Sequence, residues 1–149
     1  MSSPRILVVD DEADIRGLLS EILAEEGYEV EAAPDAATAR RACARQEPDL
    51  VLLDIWMPDM DGITLLREWS EKDMLKFPVV MLSGHGTVET AVEATRLGAF
   101  DFVEKPLSIA KLLRTVERAQ EILAAGAQQV ILGSSLFKAG RPDLAFARR

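Results

Sequence analysis

Reactive side chains stand directly after short apolar runs at four places in this sequence. Asp10-Asp11-Glu12 follow RILVV, Asp54 follows LVLL, Ser83-Gly84-His85-Gly86 follow VVML, and Glu104-Lys105-Pro106 close FDFVEKP. Any one of these reads as turn or helix-cap chemistry, since acids commonly follow strands. Gathered at one place, the set does not. Two carboxylates about 4 Å apart repel by roughly 4 kcal/mol at an effective dielectric near 20, so a cluster of Asp10, Asp11 and Asp54 needs a cation. Oxygen-only donors suit Mg2+, which binds through one or two carboxylates plus phosphate oxygens and keeps several waters. A carboxylate nucleophile, a divalent metal, a hydroxyl and a lysine are the parts for phosphoryl transfer onto an aspartate.

Those residues meet only if the elements bring them together. Five apolar runs, Arg5–Asp10, Glu29–Ala33, Asp49–Leu53, Pro78–Leu82 and Phe100–Glu104, predict strands. Helix-period segments lie between them. Ile15, Leu18, Leu19, Ile22 and Leu23 share one helix face, and Ile63, Leu66 and Trp69 recur at threes within Gly62–Lys72. Ala36–Gln46, Thr87–Leu97 and Ser108–Leu123 complete the helices. Gly27 and Gly98 sit where helices end, and Thr87 and Ser108 are N-cap candidates. The order is strand then helix, five times. That predicts the α/β class, with a parallel sheet covered by helices on both faces. In such a sheet ligands bind outside the carboxyl ends of the strands, where the four clusters lie. After about Ala125 the pattern fails, and residues 126–149 read as linker or tail after a domain of residues 1–125.

Composition narrows the function classes. The 149 residues suffice for one domain, and 48% hydrophobic residues suffice for its core. One Cys and one His exclude a disulfide framework and a Cys/His zinc site. No apolar run is long enough to span a membrane, and the early acids leave no signal-like stretch, so the reading is cytoplasmic with no membrane partner. The pattern GxxxxGK[ST] is absent. Residues 1–125 carry a net charge of −11 and residues 126–149 a net of +3, so the main body repels the phosphate backbone and predicts no direct DNA contact. The basic tail reads as a solvated segment or as a nucleic-acid contact.

Asp10-Asp11, Asp54 in LLDIWMPDMDG, Ser83 in VVMLSGHG and Lys105-Pro106 in GAFDFVEKP together resemble the receiver domain of bacterial two-component response regulators, over about residues 4–122. The stretch SGHGTVETAVEATRLGAFDFVEKP is similar to the NtrC/NtrX type. The resemblance implies a (βα)5 flavodoxin-like, doubly wound sheet with strand order 2-1-3-4-5. It implies a phosphorylation-dependent switch rather than a turnover enzyme, limited to slow self-phosphorylation and self-dephosphorylation, with a sensor histidine kinase as partner and control of transcription as output. Asp54 is then the phosphoacceptor. Mg2+ is held by Asp10, Asp11, Asp54 and the backbone carbonyl of Trp56. Ser83 and Lys105 receive the phosphoryl oxygens, Ser83 and Phe102 form the switch, and the bond before Pro106 is cis. The NtrC type also carries ATPase and DNA-binding domains, so the chain reads as a receiver fragment or as a single-domain regulator. A weak homodimer through the fourth helix, fifth strand and fifth helix is implied. Acids dominate the fourth helix and fifth strand (Glu89, Glu93, Asp101 and Glu104, beside Arg96), and bases dominate the fifth helix (Lys111, Arg114 and Arg118, beside Glu117). A two-fold axis sets one against the other, although the same charges also read as ordinary solvated surface.

Other readings stand beside these. Phe102 reads equally as plain core. Trp56 reads as a loop aromatic or a partner contact. Glu12 reads as a charge complement to the helix N-terminus. A Ser83–His85 nucleophile pair lacks a GxSxG elbow. A haloacid-dehalogenase-type phosphatase would want an acid where Trp56 stands, and an unphosphorylated pseudo-receiver would not need every site position filled.

Overall fold

The structure, a computed structural model, describes residues 3–72, 75–84 and 88–133, with side chains to residue 122. The elements run β1 (Arg5–Val9), α1 (Ala13–Glu25), β2 (Glu29–Ala33), α2 (Ala36–Arg45), β3 (Leu50–Asp54), α3 (Gly62–Glu71), β4 (Val79–Ser83), α4 (Val88–Arg96), β5 (Asp101–Glu104) and α5 (Ile109–Gly133). All strand pairs are parallel, and the order across the sheet is β2-β1-β3-β4-β5. Two compact units are present, Met1–Val116 and Glu117–Arg149, with the boundary inside α5.

Strand alternation builds the core. Leu7, Val9, Val51, Leu53, Val79 and Met81 turn to one face, where Ala36, Ala39 and Ala42 of α2, Leu65, Leu66 and Trp69 of α3, and Ala94 of α4 pack on them. The small alanines let α2 lie close, and Trp69 stands edge-on to Phe77 with ring centroids 5.5 Å apart. Ile6, Val8, Leu50, Leu52, Val80 and Leu82 take the opposite face and are fully buried. A strand buried on both faces reads as a continuous apolar run, which is why β1, β3 and β4 are unbroken while the edge strand β2 carries Glu29 and Glu31.

Local chemistry ends each helix. Gly27 and Gly98 adopt φ of 96° and 109° after α1 and α4, a region that L side chains avoid. Asp35 and Asp61 cap α2 and α3 by accepting from the backbone N–H of Thr38 and Thr64 at 2.8 and 2.7 Å. Ser108 accepts from Lys111 N at 3.3 Å before α5. Thr87, His85 and Met74, the last of which reads from sequence as a packing residue, lie outside the described residues. Leu18 falls at the margin of the α1 stripe and is exposed, whereas Leu19 and Leu23 are buried.

Candidate functional site

The side on which successive strands are added reverses between β1 and β3. β1 leads outward to β2 on one side, while β3 leads to β4 and β5 on the other. The crevice beyond their carboxyl ends is the switch point of a doubly wound sheet. Asp10 follows β1, Asp54 ends β3, Ser83 ends β4 and Lys105 follows β5, so the sequence-predicted residues sit on four neighbouring strand ends. A cleft of about 290 Å³ opens there, lined by Asp11, Glu12, Asp54, Trp56, Gly84 and Lys105.

Lys105 ties the acids together. Its Nζ lies 2.9 Å from Asp10 Oδ2, 2.9 Å from Glu12 Oε2 and 3.5 Å from Asp54 Oδ1. Asp10 is fully buried and Asp54 nearly so, whereas Asp11 and Glu12 are exposed. Burial opposes a charged lysine, but the adjacent carboxylates of Asp10, Glu12 and Asp54 outweigh it and raise Lys105 above its ordinary value. One ammonium does not neutralise this many acids. Burial, and next the Asp10 charge, push the Asp54 carboxyl up to about 6.

That shift has a sign. A carboxyl whose folded value stands above its unfolded one stabilises the fold below pH 4, and this stability is lost as pH rises toward 6. In metal-free buffer, stability should fall by on the order of 2–3 kcal/mol across that window, about 1.4 kcal/mol per pKa unit. Asp54→Asn should flatten the slope and be the more stable protein at pH 7. Urea unfolding at pH 4, 5, 6 and 7 reads both.

The donor set is entirely oxygen. Carboxylate oxygens of Asp10, Asp11 and Glu12 lie within 4.8 Å of one another. Buried Asp10 Oδ2 has Lys105 beside it but no aligned hydrogen-bond donor, so a lone pair remains available to a cation. A hard divalent cation such as Mg2+ fits these residues.

The loop after β3 is fixed from several sides. Gly62 N donates to Ile55 O at 2.6 Å, and a Cβ on Gly62 would stand 2.2 Å from the Asp54 carbonyl oxygen. Only glycine lets α3 begin so close to the Asp54 backbone. Gly62→Ala should therefore cost about 3 kcal/mol, the upper range for an overpacked site, and shift the denaturant midpoint accordingly. Asp59 reaches from this loop to α2, where its two carboxylate oxygens accept from Ala36 N and Ala37 N at 3.1 Å each. Arg40 of α2 grips Glu68 of α3 through two bonds of 2.7 and 2.9 Å.

The remaining predicted residues are placed as follows. Trp56 is 56% exposed at the rim of the cleft. Ser83 is fully buried, and its carbonyl accepts from Lys105 N at 2.7 Å. Phe102 is half-buried and packs on the core. The Lys105–Pro106 bond is cis. Glu12 occupies the N-cap position of α1 but makes no side-chain cap bond; its carboxylate crosses to Lys105 instead. Arg16, which sequence reading passed over, donates to the Asp10 carbonyl at 2.8 Å and steadies the turn between the first two acids. Its only sequence signal is its position one turn into the first helix.

The response regulator receiver domain family matches this chain over residues 6–117. The chain is 47% identical over 120 residues to the nitrogen assimilation regulatory protein NtrX of Azorhizobium caulinodans, an alignment covering 79% of this chain and 26% of that protein. It is 44% identical over 118 residues to the regulatory protein AtoC of Escherichia coli, covering 79% of this chain and 25% of that protein. It thus spans about a quarter of the length of these relatives. The crystal structure of the NtrX receiver domain from Brucella abortus superposes with a TM-score of 0.72 at 51% identity, covering 78% of this chain and 98% of that one. A CheY-like receiver domain protein from Methanospirillum hungatei superposes with a TM-score of 0.79 at 31% identity, covering 84% of this chain and 99% of that one.

Proposed function

Because the chain belongs to the response regulator receiver domain family, a family of phosphorylation-dependent signalling proteins, we propose that Asp54 is the phosphoacceptor of this chain and that a sensor histidine kinase supplies the phosphoryl group. The observation that carries this reading is the buried Asp54 carboxylate at a strand end, 3.5 Å from Lys105 and within one shared charge network with Asp10.

With its carboxyl at about 6, Asp54 is ionised at neutral pH and attacks as the nucleophile. An Asp54 oxygen forms the new bond to phosphorus, and the donor's bond to phosphorus breaks, its electron pair leaving with the histidine nitrogen or the acetate oxygen. Lys105 pairs with one phosphoryl oxygen. The Ser83 hydroxyl donates to another. Asp10, Asp11, Asp54 and the Trp56 carbonyl would hold Mg2+, which when bound supplies positive charge against the phosphoryl oxygens.

Phosphorylation adds close to two negative charges and three acceptor oxygens. Ser83 moves toward them, Phe102 turns from half-buried to buried, and α4 shifts, as one two-state equilibrium. Such a shift from 1:99 to 99:1 needs about 5.5 kcal/mol of preference for the active state. The output surface is α4, β5 and α5. Val88 and Val92 are exposed there, 81% and 45%, beside a groove of about 550 Å³ that Glu89, Glu93 and Arg96 also line. Glu93 is ion-paired to Arg67 of α3, which couples this face to the element that follows the phosphoacceptor loop. Exposed apolar surface ringed by charge supports a weak, salt-sensitive homodimer. Among the described residues no helix is long and apolar enough to cross a membrane; the protein works in the cytoplasm, and its acidic body leaves DNA contact and transcription control to an output domain or partner.

Structures with Mg2+, with and without beryllofluoride, test the relay. Phe102 should change rotamer, α4 should move, and sedimentation of the same samples should show more dimer with beryllofluoride. An unchanged Phe102 and an unmoved α4 would refute it.

A further inference from the structure

Lys105 is held by an acid that accepting a phosphoryl group does not require. Its Nζ lies 2.9 Å from Glu12 Oε2, closer than its 3.5 Å to Asp54, and the two residues are 93 positions apart. Glu12 is uncommitted elsewhere at its helix end. It stands at the N-cap position in extended backbone, φ −88° and ψ 116°, and caps nothing with its side chain. Its side chain is 57% exposed, while that of Asp10, the other acid at 2.9 Å, is fully buried. Asp10 is therefore the fixed partner of Lys105 and Glu12 the releasable one. An ammonium has three donor hydrogens, and three carboxylates already surround this one.

We propose that Glu12 is a positioning residue that clasps Lys105 in the resting site and competes with an arriving phosphoryl group for it, an inference that rests on Asp54 being the phosphoacceptor. Glu12 accepts the well-formed hydrogen bond of the Lys105 ammonium, so drawing that ammonium toward a phosphoryl oxygen works against Glu12. The clasp thus sets how readily the site closes on its ligand. Because the Glu12 side chain is largely solvated, the effect is modest. Exposed ion pairs of this kind shift an equilibrium by up to about fivefold.

Two variants separate the clasp from simple charge. Glu12→Gln removes the charge and the ionic clasp. Glu12→Asp keeps the charge but shortens the reach by one methylene. The probe is beryllofluoride with saturating Mg2+, read by Trp56 fluorescence, since Trp56 lines the cleft and Trp69 is buried in the core. Both variants should bind beryllofluoride about threefold or more tightly than the parent chain. In the absence of metal and beryllofluoride, Lys105 should also acylate faster in both, measured by peptide mass after a brief pulse of an amine-reactive ester. Tightening by Glu12→Gln alone would overturn the clasp in favour of bulk charge. Weaker binding by both would overturn it in favour of a metal-holding role. Unchanged binding by both would also overturn it. A parent chain that binds no beryllofluoride would instead overturn the phosphoacceptor reading, and the metal-free acylation rates would still decide whether Glu12 holds Lys105.

Discussion

Lys105→Met in metal-free buffer at pH 7 should lose about 3–5 kcal/mol of stability, the cost of leaving buried charge without its partner. Methionine keeps most of the apolar stem, so packing changes little. What disappears is, among the described residues, the one cation within 3.5 Å of both Asp10 and Asp54, and both carboxylates stay nearly inaccessible to water. Asp54 has an escape. Its carboxyl already stands at about 6, and without Lys105 it rises further and binds a proton. The loss should therefore shrink as pH falls to 5, and Mg2+ should restore much of it by replacing the missing positive charge. Urea unfolding of parent and variant, with Mg2+ and with chelator, measures all three effects. A loss below 1 kcal/mol, unaffected by Mg2+, would mean that the acids do not depend on Lys105 for their charge balance. The exposed pair Arg67–Glu93 is the contrast, because screened surface pairs contribute at most about 1 kcal/mol.

Much of this site was legible in the residues because each cluster follows an apolar run, and a parallel sheet leaves its strand ends at one edge. The alternation of strands and helices led to the α/β fold, and the motifs around Asp54 and Lys105 led to the family and its strand order. Strand ends were less legible. Asp54 and Ser83 are the last residues of β3 and β4 rather than the first beyond them, because the ladder to the neighbouring strand continues one residue past the apolar run: Asp54 aligns with Leu82 and Ser83 with Glu104. The fifth helix ran further than its pattern. It continues to Gly133, past the break expected after Ala125, since a lone Gly126 costs only about 1 kcal/mol against the helix formers Ala124, Ala125, Ala127 and Leu132.

Side-chain choices across the fold were the least legible. Glu12 could serve its own helix or a residue 93 positions away, and nothing local decides between them. Asp59 could cap its own turn, yet it caps α2. Phe102 was read as a switch aromatic or plain core, and its ring lies half-buried against the core, a setting that local spacing does not foretell. These contacts depend on which helices a crossover brings alongside, and spacing in sequence does not carry that information.

Every proposed step depends on Asp54 accepting the phosphoryl group, and one measurement tests this most directly. The protein is incubated with acetyl phosphate and Mg2+, and intact mass is recorded for the parent chain, for the parent in excess chelator, and for Asp54→Asn. Asp54 is the buried acid nearest Lys105 that also faces the cleft; Asp10 is fully buried with one oxygen accepting from Glu12 N at 2.9 Å, so it is held for support rather than attack. The parent chain should gain the mass of one phosphoryl group, with none gained in chelator and none in Asp54→Asn. Undiminished labelling of Asp54→Asn, or full labelling in excess chelator, would contradict the account.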